Sequence, residues 1–400
     1  MRVTTSQFYS QSVSRILDLQ ARQRDVTNQI SGGKRITQPG DDPVAAAEVL
    51  QIRSRTNAAE QYGRNGVQAD SRLTQVDDVL GSVSSLLQRV HDLVLQGRSE
   101  TLGDSDRDSI AKEIREQTDV LLDLGNTRNA SGEYIFAGAT VNARPFTADA
   151  LGNVSYNGDQ TVRELQLSPN RTIAESFSGR DALFAVRNGN GTFVSGRVPG
   201  NTGTGQISGN AVVDGSSYLA HNFRVSFTSA TTYDVVDDTL GSNVATAQAY
   251  VDGAAISFNG SEITIIGAPS TGDQFTVKPS ANQSMFKSLG NIVTALETGY
   301  NNDTEQANFG FDIDRALESL DRSLEKIGEL RATAGARLNS ISAQADGNEQ
   351  VTLNLETLRA KLEDVDLSTA ISQLTQDTTA LEAAQKAFVK VQGLTLFEYI

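Results

Sequence analysis

The chain has 400 residues, 38% hydrophobic and 21% charged, with a net charge of −15 and no cysteine. That length accommodates two to four domains. The acidic balance and the lack of a basic cluster exclude nucleic acid and anionic membrane as expected partners, since both need cations to displace counterions. Without cysteine there are no disulfides and no thiolate metal sites. No apolar run approaches the roughly eighteen residues of a membrane-spanning helix. The stretch Met1–Arg15 lacks an apolar core and a small-residue cleavage site, so no Sec signal peptide is expected. It is rich in Ser, Thr and Gln, with its first acid at Asp18, which suits an ordinary soluble start or an uncleaved export signal.

In chain order, Ile16, Leu19, Val26 and Ile30 fall on one face of a helix. Gly32 and Gly33 end it, and Pro39-Gly40 predicts a turn. Asp42 is placed to cap the next helix, with Pro43 at its first position. That helix is expected to run to about Gln61. Leu73, Val76, Leu80, Val83, Leu87, Val90 and Val94 form a heptad seam. Gly97 to Asp106 breaks it, and Ile110, Ile114, Gln117, Leu121 and Leu124 resume as a further helix.

At Asn129-Ala-Ser-Gly132 the character changes. Residues 133–285 are rich in Gly, Asn, Thr, Ser and Val. Alternating runs such as Phe223–Thr228 and Glu262–Ile266 predict half-buried strands, and Asn157-Gly158 and Asn259-Gly260 predict hairpin turns. Arg187–Gly209 reads as an irregular or mobile loop, splitting this region into subdomains near 133–185 and 186–285. Helix returns after Ser284. Ile313, Leu317, Leu320, Leu324, Ile327, Arg331, Ala334, Leu338, Ile341 and Ala345 make the longest seam. Val351, Leu355, Leu358, Leu362 and Val365 extend it past an interruption at Gly347-Asn348. Leu367, Ile371, Leu374, Thr378, Leu381, Gln385 and Phe388 form the last seam, ending near Gly393 before an apolar tail. The inner seams at 73–94 and 313–341 read as core.

Catalytic signatures lack support. His91 and His221 are the only histidines and no zinc-protease motif is present. His91, beside a seam residue, reads as packed or solvated rather than as a ligand. Ser323-x-x-Lys326 lies inside a heptad helix without its companion motifs, and Ser284-x-x-Lys287 is no stronger. Asp41-Asp42 suits an acid–base pair, a cation site, or a turn followed by a cap; the flanking prolines favour the last. Asp237-Asp238 reads as a solvated turn. No enzyme activity, cofactor or metal is expected.

The segment Gln29–Ile36, followed by Asp41-Asp42-Pro43 and Ala45-Ala46, resembles the N-terminal signature of bacterial flagellins. Ser131–Thr140 with Arg144-Pro145-Phe146, and the end Ala387–Ile400, are similar to the hook–filament junction members of that flagellin-like family. The resemblance covers about 1–146 and 300–400, and no pattern is assigned to 147–285. It implies an elongated α+β fold. Helices from both termini form an antiparallel coiled-coil bundle around a mid-chain β-rich insert. The implied domains are 1–36 with 366–400, 37–132 with 286–365, and the insert 133–285. The implied function is a structural adaptor of the flagellum, exported unfolded through the flagellar type III system and polymerising at the distal hook. Implied partners are hook-associated protein 1, flagellin, further copies of this chain and a type III export chaperone at the C-terminal helix. Competing readings are a minor flagellin, or an adhesin-like binding module carried on the same scaffold. The terminal seams read as assembly residues: Ile16, Leu19, Val26, Ile30, Ile371, Leu374, Leu381 and Phe388, with Leu396 and Phe397 in the tail. Intramolecular core is the other reading of these seams. Arg35, Asp41 and Asp42 occupy the linker.

Overall fold

The computed structural model describes residues 5–99 and 101–397, with side chains for 7–99 and 101–390. Among the described residues there are seven helices: α1 Thr5–Gly32, α2 Pro43–Gly97, α3 Asp104–Gly125, α4 Gly179–Leu183, α5 Met285–Glu297, α6 Asp303–Glu363 and α7 Leu367–Phe397. The chain divides into two compact units, residues 1–65 with 343–400, and residues 66–342.

The helix starts follow local chemistry. Asp42 Oδ1 accepts from Ala45 N at 3.0 Å, occupying a backbone donor that the first turn of α2 leaves open. Ser284 does the same for α5, accepting from Lys287 N at 3.1 Å. Three expected helix ends move. α2 does not stop near Gln61 but runs through Gly63 and Gly66 to Gly97. At Gly66 a Cβ would sit 3.8 Å from Ile341, so the missing side chain makes room for a core neighbour. Each interior glycine costs a helix about 1 kcal/mol, which the buried seam that follows outweighs. α6 is unbroken at Gly347-Asn348, where Gln344 donates to Asn348 one turn on at 3.0 Å. α7 passes Gly393 and ends at Phe397.

In the larger unit the inner seams are core. Leu73, Leu80, Leu87, Val90 and Val94 of α2 pack with Ile110 and Ile114 of α3, Leu289 and Ile292 of α5, and Ile313, Leu320, Ile327 and Ala334 of α6. The region after α3 joins this core rather than standing apart as a β subdomain. Two hairpins, β1 Phe146–Ala148 with β2 Val154–Tyr156 and β3 Glu164–Ser168 with β4 Arg171–Ala174, lie here. Phe136, Phe146, Leu167, Phe177 and Leu183 are buried against the helical residues. Short hairpins bury too little by themselves to be stable.

The second core lies within the insert. Strands β5 Val186–Arg187, β6 Phe193–Arg197, β7 Gln206–Val212, β8 Phe223–Ser229, β9 Thr232–Asp237, β10 Ser242–Ala249, β11 Ala255–Phe258, β12 Ser261–Ile266, β13 Gln274–Pro279 and β14 Asn282–Gln283 follow in order. The main sheet runs β10-β9-β8-β13-β6, and a second runs β11-β12-β7, both antiparallel. Alternation along β8 and β9 places Phe223, Val225, Phe227, Tyr233 and Val235 inward. The stretch 187–209 is therefore not an irregular loop. It carries β6 and the start of β7, with Phe193 and Ile207 fully buried. Its Gly/Asn/Thr composition hid a single buried phenylalanine. Phe311 of α6 also enters this core, and Arg197 pairs with Asp312 at 2.9 Å, mooring the insert to the helix.

Candidate assembly surfaces

In the smaller unit α1 and α7 pair antiparallel. Tyr9 lies 5.3 Å from Phe388 between ring centroids, and Gln23 donates to Thr378 at 3.5 Å, so positions rise along one helix as they fall along the other. On α1, Ile16, Leu19, Gln23, Val26 and Ile30 are half-buried, following the heptad expected for them. On α7 the covered face is turned by one position. Ala370 and Asp377 are buried, and Leu374, Thr378, Leu381, Ala384 and Phe388 are half-buried, whereas Ile371 is 53% exposed and Gln385 is exposed, so of the expected seam Leu374, Thr378, Leu381 and Phe388 are covered. Leu374, Leu381 and Phe388 thus meet α1 within the chain, and Ile371 does not. Leu396 and Phe397 lie outside the residues whose side chains are described.

The linkers that bound this pair run side by side. Arg35 N donates to Glu363 O at 2.7 Å and Val365 N to Gly33 O at 3.1 Å, closing an antiparallel bridge. Gly33 takes φ +69°, which a side chain would strain. Arg35 also donates to Leu362 O at 2.8 Å and pairs with Asp42 at 3.4 Å. Asp41 Oδ2 accepts from the backbone N–H groups of Gln38 and Thr37, both at 2.9 Å, and from the Thr37 hydroxyl. The Gln38 and Thr37 bonds hold its carboxyl below the ordinary range, and the Ala45 N–H does the same for Asp42. Both carboxylates serve the turn and the cap. Among the described residues no group of three metal-ligating side chains occurs.

Glu363 is the residue that sequence reasoning missed. Its side chain is only 7% exposed and receives Lys34 at 2.7 Å and Arg53 at 2.6 Å, with Arg359 at 3.9 Å. A periodicity reading treats a glutamate at a helix end as solvated. Only the Lys34-Arg35 pair at the other linker hinted at an acidic counterpart.

The remaining candidates resolve as follows. Ser323 is buried and donates to Ser319 O at 2.8 Å, and Lys326 pairs with Asp181 at 3.2 Å, so the two serve packing and a surface ion pair. His91 is half-buried, 3.9 Å from Asp321. Asp237 is not a solvated turn residue. It is 2% exposed and accepts from Thr239 N, Leu240 N and His221 Nδ1. Its neighbour Asp238 pairs with Arg224 at 2.8 Å. The expected seam extension on α6 is open on one side, with Val351 49% and Leu358 42% exposed.

Helices from both ends, a mid-chain antiparallel insert and paired linkers give the chain a flagellin-like fold. Residues 3–140 match the bacterial flagellin N-terminal helical region, and residues 199–279 match the D2-like domain of flagellar hook-associated protein 1, a relation the sequence reading had not assigned. Over its full length the chain is homologous to flagellar hook-associated protein 3 of Salmonella typhimurium, 24% identical over 399 residues, covering 100% of this chain and 99% of that one. The crystal structure of hook-associated protein 3 from Legionella pneumophila is similar at 27% identity and TM-score 0.74, covering 78% of this chain and 99% of that one. A flagellin of Clostridium tyrobutyricum is 22% identical, covering 92% of each chain. The relatives are structural flagellar proteins.

Proposed function

We propose that this chain is the structural adaptor between flagellar hook and filament, polymerising at the distal end of the hook. The observation that carries this is the end-to-end homology to hook-associated protein 3, which includes the insert as well as the helical ends. Flagellin relatives are more distant, which disfavours a filament subunit. An adhesin-like role would need exposed aromatics on the insert, but Phe223, Phe227 and Tyr233 are core. We assign hook-associated protein 1 and flagellin as its neighbours along the axis, and further copies of itself around it. No helix among the described residues is long and apolar enough to cross a membrane. Export unfolded through the flagellar type III route puts the protein outside the cell on this reading. A chaperone at α7 would cover exposed apolar residues such as Ile371 before export.

The physical mechanism is heterologous association. The α1–α7 pair is a two-helix contact that leaves apolar positions uncovered, and head-to-tail packing of such faces propagates helically. Within the chain, we divide the scaffold into a terminal coiled coil, 1–36 with 366–400, a helical bundle, 37–132 with 286–365, and the insert. The test is clean deletion of the gene, electron microscopy of the cells and assay of the medium for flagellin. Bare hooks with flagellin monomer in the medium are expected; normal filaments would overturn the assignment.

A further inference from the structure

We propose that Glu363 is an acid-releasable latch that fastens the two linkers to one another and so holds the α1–α7 pair in place. The proposal concerns the single chain and does not depend on the hook–filament reading. Its basis is the charge count at the bridge. One carboxylate, almost wholly covered, faces Lys34 from the first linker, Arg53 from α2 and Arg359 from its own helix. The other charged groups at the crossing are Arg35, Asp42, Asp364 and Asp366, and Asp366 accepts from Ser368 N and Thr369 N at the start of α7. Arg35 is on Leu362 O and Asp42, and Asp364 pairs through its backbone with Lys34. The wall beside Arg53 and Glu363 is apolar, a cavity of about 340 Å³ lined in part by Ile36, Pro39, Val49 and Leu50. The three cations are about half exposed, at 48%, 46% and 42%, so each pair is weak alone and the latch rests on all three meeting one covered carboxylate.

Neutralising this single anion therefore does more than remove one ion pair. It leaves three cations at the crossing of both linkers, where the two backbone hydrogen bonds of the bridge and the Arg35–Leu362 O hydrogen bond then hold the linkers without an anion between those cations. Burial alone would raise the Glu363 carboxyl, but the Lys34 hydrogen bond and the charges of Arg53, Lys34 and Arg359 outweigh it and hold the group below its ordinary value of 4.5. Because the folded value is the depressed one, the stabilisation is fully present above 4.5 and is lost as the pH falls through the lower folded value.

The test is hydrogen exchange on the full chain, corrected for intrinsic rate, from neutral pH to below 4.5. Exchange is read at the two bridging amides, Arg35 and Val365, and at Leu80 in the core of the larger unit. In the native chain, protection at Arg35 and Val365 should fall about threefold or more in acid while Leu80 stays protected. Glu363→Gln, neutral at every pH, should show the low protection already at neutral pH and only the smaller acid step that Asp42, paired with Arg35, and Asp366, beside Val365, contribute, with Leu80 unchanged. Asp364→Asn, which removes the adjacent carboxylate, should keep the acid step. An acid step of equal size in Glu363→Gln, or loss at Leu80 together with the linkers in the native chain, would overturn the proposal.

Discussion

Single residues here act mostly by closing or capping something. Phe311 is the clearest instance. It leaves α6 to complete the core of the insert, with the Arg315 guanidinium 5.5 Å from its ring. Phe311→Ala should destabilise the insert by about 3–5 kcal/mol. Urea unfolding followed by a probe in β8 checks this, and an unchanged midpoint would show that the insert does not need the helix. Asp42 acts at a helix start. Asp42→Ala frees the Ala45 N–H, and roughly fivefold faster exchange at Ala45 is expected, measured by hydrogen exchange. Glu363 differs from both, because its effect spans two linkers and depends on pH. The sequence offers Asp42 through the adjacent Pro43. It offers no such sign for Phe311, whose core neighbours lie far along the chain, and only the Lys34-Arg35 pair hints at Glu363.

At the scale of elements, α7 presents two different edges. Its covered edge is Ala370, Leu374, Asp377, Leu381, Ala384 and Phe388, and its open edge includes Leu367 and Ile371. The two respond differently to truncation. Leu374→Ala should loosen the α1–α7 pair by about 1–2 kcal/mol, seen as faster exchange along α1. Ile371→Ala should change the stability of the isolated chain by less than about 0.5 kcal/mol and instead weaken polymerisation, read by sedimentation. If Ile371→Ala loosened α1 as much as Leu374→Ala, the one-position turn of α7 would be wrong. Asp377 sits in the covered edge with Gln373 donating to it at 3.2 Å. A polar group in a seam restricts register at some expense of stability. Heptad counting found the seam residues of α7 but not which side of the helix a single partner covers. The choice depends on where α1 lies, which periodicity along α7 does not encode.

At the scale of the molecule, the larger unit contains two cores with separate membership. The chain enters the insert at Thr192 and leaves it at Ser280, where Ser280 N donates to Thr192 O at 2.9 Å. The ends of the insert therefore already meet. Replacing 193–279 by a short glycine linker, with Phe311→Ser to remove the stranded ring, should leave the helical core folded and cooperative. Thermal unfolding by circular dichroism checks this. Loss of a cooperative transition would mean the two cores stabilise each other more than their contacts suggest. In cells, a shortened chain that still prevents flagellin loss would place the joining function in the helical scaffold.

By itself the sequence determined the helical seams, the order helix–insert–helix, the Asp42 cap and the resemblance to flagellins. Each rests on spacing or on neighbouring residues, which physics reads locally. Its errors share one cause. The helix after Pro43 reads as ending near Gln61, and Gly347 and Gly393 look like helix breaks, but α2, α6 and α7 continue past these points. The segment 187–209 looks like a loop, yet burial of Phe193 makes it part of a sheet. Only the tertiary structure decided these, together with the joining of 133–185 to the helical core, the burial of Asp237, the turned face of α7 and the cluster at Glu363. All of them depend on contacts between residues distant in the chain, and such contacts outweigh the local preferences of about 1 kcal/mol that a sequence displays.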